Sequence, residues 1–468
     1  LAFEILMPLH PGSGEKEARR RLPVPGEPSL WVPRDSFPST GQSPRHALSL
    51  VEDELLLDGN ARQNLATFCT TWFEPETRYL MGLGLDRNLV DRDEYPQTSE
   101  IERRCVAMLA ELWNAPSREE AVGCSTTGSS EACLLAGLAL LWRWKSRAGS
   151  LQGPPNLVTG PVQVCWEKFC RYWEVELREI AMEPGKWVAR PEEVLKRCDK
   201  NTIGVVCTLG LTFTGHYEPV EEVSAALARW EKEQGIEIPI HVDAASGGFV
   251  APFIHPQLRW DFRNPKVVSI NASGHKFGLA PLGLGWVLWR EKSFLPRELT
   301  FSVRYLGGEV PTYGLTFSRP GSQVICQYYQ FLRLGREGYR KILSECFAIA
   351  QFLASQLDGF ECFQLVHQGD QGIPVVCWTL DPCCRLPFSL YDVADRLRTR
   401  GWLVPTYPLV PNCQQMIVQR AVIRPGFTME LAYLFVDDLK KTLSYLESHP
   451  PAAPLTQEEL GMFTHGGR

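Results

Sequence analysis

At 468 residues the chain exceeds what one hydrophobic core ordinarily fills, so two domains are expected. Its 48 basic and 54 acidic residues leave a net charge of −6, and the one basic run, RRR at 19–21, is too short for a nucleic-acid footprint; no nucleic-acid partner is expected. No run of 18 apolar residues occurs, so no membrane span is expected, and the opening LAFEILMPL lacks the basic flank and cleavage site of a signal peptide.

Fifteen cysteines are an odd number, scattered and without a C-x-x-C pair. They read as reduced, buried thiols of a cytoplasmic protein rather than as a disulfide framework. The nine histidines show no ligand spacing to one another or to a cysteine pair, so no metal site is expected.

Residues 1–48, rich in Pro, Arg, Ser and Gly from position 8, read as a loosely ordered N-terminal arm. A large domain is expected over 49–354. Within it Ile101, Cys105, Met108, Leu112 and Trp113 fall at helical spacing, with SEIE at 99–102 as a capping box. TTGSSEAC then opens a long apolar helix. Strand-like runs follow near 156 (NLVTG), 173 (WEVELREI), 202 (TIGVVCTLG), 238 (IPIHVDAA), 267 (VVSI) and 285 (GWVLWR). Amphipathic helices such as PVEEVSAALARWEKEQG at 219–235 lie between several of them, which predicts an α/β fold with a mostly parallel sheet. A helix over 321–357 leads to a small α+β domain at 355–450, with strands PVVCWTL and MIVQRAVI, and residues 451–468 read as a flexible tail.

Open α/β sheets collect binding residues at the carboxyl ends of their strands. Asp243 ends the strand IPIHVD and is followed by Ala and Gly; Lys276 follows VVSINASGH. The bland reading is an ion pair at a sheet end. The small neighbours instead let a flat ring approach the backbone, and a lysine in a dry pocket can form a Schiff base. Pyridoxal 5'-phosphate needs such a lysine, a carboxylate at its ring nitrogen and an anion seat. Gly128, Ser129 and Ser130 at a helix N-terminus supply the last, although GSS alone would be an ordinary cap.

The stretches LDGNARQNLATF, GSSEA, HVDAASGGFVAPF, SGHKFGLAPLGLGWV, FSRPGSQVICQYYQFLRLGREGY and GWLVP, spread in order over about residues 50–450, resemble the glutamate decarboxylases of the bacterial and plant branch. The resemblance implies the fold type I (aspartate-aminotransferase-like) architecture and an assembly of two or more copies. It implies that Lys276 binds the pyridoxal phosphate aldehyde, Asp243 the pyridine nitrogen, and Ser129, Ser130 and His275 the phosphate. Thr212 would also touch the cofactor, Gln163 would cover the ring face, and Ser318 would reach the neighbouring subunit's phosphate. Arg420 would receive the α-carboxylate of L-glutamate. Thr67, Phe68, Asn88 and Asp91 would surround the distal carboxylate, and Asp91 there favours activity in mild acid. Lys276, His275 and the loop residue Tyr305, a proton donor, would carry the catalysis, which yields 4-aminobutanoate and CO2. Arg304 replaces an acidic residue often found before that tyrosine.

The tail lacks a basic amphipathic helix, so calmodulin control is not expected, and His465 matches a near-terminal histidine that can block the site. Decarboxylation of aspartate, cysteine sulfinate or an aromatic amino acid, or a silent scaffold of the same fold, are the alternatives.

Overall fold

The computed structural model describes residues 35–148, 153–303 and 310–460. The chain divides into two compact units, one ending at Asp58 and one starting at Gly59. In the first, Pro44–Leu55 is a helix, begun by Pro44 and by Ser43, whose Oγ accepts from the His46 N–H at 3.3 Å. The candidate site lies wholly in the second.

There the strands β1 (Val122–Thr126), β2 (Asn156–Thr159), β3 (Glu176–Glu179), β4 (Thr202–Thr208), β5 (Ile240–Asp243), β6 (Val267–Ala272) and β7 (Gly285–Trp289) form one sheet in the order β1-β7-β6-β5-β4-β2-β3. Every pairing is parallel except the two made by β7. The connection from β6 to β7 carries the Lys276 turn instead of a crossover helix, so β7 returns antiparallel. Side chains alternate across this strand: Trp286 and Leu288 join one hydrophobic core, Val287 and Trp289 the other. The sheet is thus buried on both faces, and the expected mostly parallel α/β architecture is what the chain adopts.

Two local expectations change. The helix over 101–113 begins earlier, at Pro96, whose ring presets the first turn, and SEIE lies inside it rather than at its cap. Glu102 instead accepts from the Ser125 N–H at 2.9 Å and so ties the helix to β1. The long helix Ser322–Asp358 matches the expected span but is broken at Gly335, where φ is 55° and ψ −170°.

A short ribbon, β8 (Phe301–Val303) with β9 (Val310–Thr312), precedes that helix. Beyond it β10 (Phe363–His367), β11 (Val375–Leu380), β12 (Thr406–Pro408) and β13 (Ile417–Val422) make an antiparallel sheet ordered β10-β11-β13-β12. Helices Leu390–Arg398 and Met429–Ser448 pack with it around Trp378, Trp402 and Phe435. Ser389 caps the first of these through the amides of Tyr391 and Asp392. None of the described helices is long and apolar enough to cross a membrane.

One contact sets the turn that opens the helix Ser129–Ala148. A Cβ on Gly285 would lie 2.4 Å from the carbonyl carbon of Gly128 and 2.7 Å from the Ser129 nitrogen. Backbone rather than a yielding side chain opposes it. Gly285→Ala is therefore expected to destabilise the fold by about 1–3 kcal/mol, seen as a lower urea midpoint at unchanged m-value.

Candidate active site

The carboxyl ends of β1, β4, β5 and β6 open on a cavity of about 310 Å³. Each strand contributes to its wall: Ser129 and Ser130 after β1, Thr208 and Thr212 at and after β4, Asp243 from β5, and Ser273, His275 and Lys276 after β6.

Asp243 is 4% exposed, and both of its oxygens are engaged. Oδ2 accepts from Trp166 Nε1 at 2.9 Å and, weakly, from Cys133 Sγ at 3.5 Å. Oδ1 accepts from Asn271 Nδ2 at 3.0 Å and from the Ala245 N–H at 3.2 Å. Asn271 then uses its own Oδ1 to accept from His241 Nε2 at 2.7 Å, which puts the imidazole proton on Nε2 and leaves Nδ1 to accept from the Ser269 hydroxyl at 2.8 Å. The relay Ser269–His241–Asn271–Asp243 is built into the sheet, because His241 pairs with Ser269 and Asp243 with Asn271 across the β5–β6 ladder.

The Lys276 amine lies 3.2 Å from Ser246 Oγ and 5.2 Å from the centre of the Phe68 ring. Burial lowers its pKa, against the opposing pull of Asp243. His275 Nδ1 accepts from the Leu284 N–H at 3.0 Å. Burial, and then the neighbouring Lys276 charge, bring this imidazole down to about 4, so it is neutral near pH 7. A Cβ on Gly128 would meet its ring at 3.3 Å, so the histidine lies against the GSS turn. There Ser129 Oγ and Ser273 Oγ are 2.7 Å apart.

These donors suit pyridoxal phosphate: an amine with depressed basicity, an anchored carboxylate, and hydroxyls at the start of a 20-residue helix. The Thr208 hydroxyl, buried on the same wall, has no hydrogen-bond partner among the described residues.

The geometry agrees with the similarities to known proteins. The model of the pyridoxal-dependent decarboxylase conserved domain matches residues 39–381. The chain belongs to this decarboxylase family. It is 52% identical to a glutamate decarboxylase of Aliivibrio fischeri over 94% of this chain and 95% of that one. It is 46% identical to one of Lactococcus lactis over 92% and 94%. The solved structure of Lactobacillus brevis glutamate decarboxylase superposes with a TM-score of 0.86 at 45% identity, covering 89% of this chain and 96% of that one.

Of the residues singled out in this decarboxylase chain, Gln163 lines the cavity while its Oε1 caps the helix Val164–Tyr172 through the Cys165 N–H, at 2.8 Å. Arg420, on β13, is 6% exposed. It stands beside the cavity, donating to the carbonyls of Thr212 and Ala66, with its guanidinium 4.3 Å from the Phe68 ring centre. Its Nε has no hydrogen-bond partner among the described residues. Thr67 is held nearby, its carbonyl accepting from Arg424 Nε at 3.0 Å.

Asn88, Asp91 and Ser318 gather elsewhere: Asn88 Nδ2 donates to Ser318 Oγ at 3.3 Å, the Asp91 N–H to the Asn88 carbonyl at 3.1 Å, and none of the three lines the cavity. Arg304, Tyr305 and His465 lie outside the described residues.

Sequence reasoning missed Trp166, Asn271, His241, Ser269, Thr208, Ser246 and Ser273. A usable signal was present for three of them. His241 in HVD, and Ser269 and Asn271 in SIN, are polar residues alternating within two otherwise apolar strands.

The buried histidines give the fold a pH dependence of definite sign. Burial is the first cause in each: His241 and His275 fall to about 4 and His216 to about 3, from an ordinary 6.5. All three stay neutral in the folded chain and take up protons on unfolding, so their stabilising contribution is present above 6.5 and lost as pH falls toward 4. Glu218, raised by burial from 4.5 to about 7, acts the other way: its contribution fades as pH rises through that window. Three imidazoles outweigh one carboxyl. Urea unfolding without cofactor should show lower stability at pH 4.5 than at 6.5, with about two protons taken up on unfolding.

Proposed function

We propose that the protein removes the α-carboxylate of L-glutamate as CO2, consumes one proton and releases 4-aminobutanoate, with pyridoxal phosphate held at Lys276. The observation that carries this reading is one cavity wall bearing Lys276, Asp243 and the Ser129–Ser130 turn, in a chain 52% identical to a named glutamate decarboxylase.

When bound, the cofactor ring withdraws the electrons of the bond to the departing carboxylate. The protein's own groups do the rest. Burial lowers the basicity of the Lys276 amine, which would hold the cofactor through its aldehyde. Asp243 keeps a proton on the pyridine nitrogen, and its relay stops it from turning away. Ser129 and Ser130, with neutral His275 and the free Thr208 hydroxyl, receive the phosphate. Gln163, at the cavity wall, covers the ring, and Thr212 borders it.

Arg420 receives the substrate α-carboxylate. Its unpartnered Nε supports this, since a buried guanidinium N–H without an acceptor is costly until an anion arrives. Thr67 and Phe68, the latter beside the Arg420 guanidinium, border the substrate's distal carboxylate. Tyr305 returns a proton to the α-carbon.

Ser318 completes the cofactor site of a second copy. Asn88 and Asp91 go with it, because Asn88 is bonded to Ser318 and all three lie off the cavity of their own chain. The assembly is therefore a dimer or larger. The fifteen cysteines are free thiols, which supports a cytoplasmic setting, and no calmodulin control is proposed. Cell fractionation checks the first and calmodulin-affinity capture the second.

The test is purification with pyridoxal phosphate, then measurement of CO2 and 4-aminobutanoate from glutamate beside aspartate, cysteine sulfinate and aromatic amino acids. Glutamate should dominate. Borohydride should fix the cofactor to Lys276, and Lys276→Ala should lose both label and turnover. Arg420→Met should lower kcat/KM by about 10- to 150-fold, the worth of a hydrogen bond to a charged group. A label on another lysine, or preference for another acid, overturns the reading.

The shared site has its own test. Lys276→Ala protein, inactive alone, and Ser318→Ala protein, weak alone, should regain activity when their subunits are dissociated and reassembled together, because one hybrid site is then intact. No gain over the separate proteins would rule out completion by the second copy.

A further inference from the structure

Two thiols on the cavity wall have no part in the chemistry above. Cys133 lies one turn into the helix Ser129–Ala148 and Cys165 in the first turn of Val164–Tyr172; both are buried, and both line the cavity. Their sulfurs and a carboxylate oxygen of Asp243 all lie within 4.8 Å of one another, with Cys133 Sγ 3.5 Å from Oδ2. A tetrahedral centre with metal–sulfur bonds of about 2.3 Å and metal–oxygen bonds of about 2.0 Å has sulfur–oxygen edges of about 3.5 Å and sulfur–sulfur edges of about 3.8 Å. The one edge measured here already has that length.

We propose that Cys133, Cys165 and Asp243 form a three-ligand seat for a thiophilic divalent cation of the zinc class, open to the cavity at its fourth position and filled only while the pyridine ring is absent. Soft thiolates select such cations over magnesium or calcium. On binding, both thiols release their protons to solvent and the cation takes two sulfur bonds and one oxygen bond, with no change of oxidation state. Two thiolates and a carboxylate around a dication leave the centre at −1, which the Lys276 amine on the same wall offsets when it is protonated.

The supporting groups exist. Trp166 Nε1 and Asn271 Nδ2 already hold the two carboxylate oxygens, the kind of outer partners that orient a metal-bound carboxylate. The ligands come from three elements far apart in the chain, which is why no spacing motif announces them.

The seat itself does not depend on the decarboxylase reading; its exclusion by pyridoxal phosphate does. The experiment uses the full chain without cofactor, in a Cys383→Ser/Cys384→Ser background that removes the adjacent pair of more accessible thiols. Titration with cadmium alone, followed by calorimetry and by the ultraviolet thiolate-to-cadmium band, should show one equivalent bound. Affinity should fall at least about 100-fold in Cys165→Ser and in Cys133→Ser, each checked for unchanged circular dichroism. Protein whose cofactor has been fixed by borohydride should show no band, an arm that needs no further substitution in the seat.

No thiolate band in the starting background, or full affinity in both folded serine variants, overturns the seat. A full band in the borohydride-fixed protein overturns the exclusion. If borohydride fixes nothing at Lys276, the functional reading fails instead, while the titration without cofactor still decides the seat.

Discussion

A carboxylate closed inside a sheet is tolerable only when its lone pairs are met, and the Asp243 side chain is the group to which the rest of the site is fitted. Its partners come from an indole, an amide side chain and a backbone N–H. The amide is in turn oriented by an imidazole, and the imidazole by a hydroxyl. Each member has only one orientation that satisfies its neighbour. Because the relay runs between directly paired residues of β5 and β6, it also fixes the register of those strands: a slip of one residue would turn His241 and Asp243 to the opposite face and leave four buried polar groups unmet.

Lys276 is the counterpart of that carboxylate. Two influences compete on its amine: burial, which lowers its basicity, and the Asp243 charge, which raises it; burial is the larger. An amine lying against Asp243 would be an ion pair and nothing more. Ser246 Oγ, 3.2 Å from Nζ, engages it at a different point of the wall, so that a flat molecule can lie along the wall and meet both groups. The parallel run of β1, β4, β5 and β6 makes this economical, since four strands deliver their final residues to one edge.

How much of this was legible depended on whether a residue's role is local. The strands, the helix at Val220–Gln234 and the long helix Ser322–Asp358 follow from periodicity, and they appear where periodicity puts them. Asp243, Lys276 and the GSS turn could be read because each ends a strand beside small residues. The SEIE segment misled because a preceding proline is the stronger start signal. Short strands such as β10 and β12 escaped because their pairing, rather than their composition, defines them. The relay escaped for a different reason: alternation shows that His241 and Asn271 face one side, but only strand order shows that they face each other. Asn88, Asp91 and Ser318 were named through the resemblance alone, and a single chain gathers them away from its own cavity.

The Arg420 guanidinium and the Lys276 amine stand with different sheets, yet their separation is not left to sheet packing. Arg420 and Arg424, four residues apart on and after β13, grip segment 61–71 through the carbonyls of Ala61, Asn64, Ala66 and Thr67. The same segment is paired with the small sheet through Leu65, whose carbonyl accepts from the Val422 N–H at 3.0 Å. Three residues after Thr67, the Thr70 N–H donates to the His275 carbonyl at 2.9 Å, immediately before Lys276. A short path therefore runs from the Arg420 side chain through the Ala66 carbonyl, residues 66–70 and the Thr70–His275 backbone bond to Lys276, and the Phe68 ring on that path faces both side-chain heads. Loosening any of these bonds would change where the Arg420 guanidinium stands relative to the Lys276 amine before it changed either sheet. Segment 61–71 is thus the ruler of the site, although it contributes no charged group to the cavity wall.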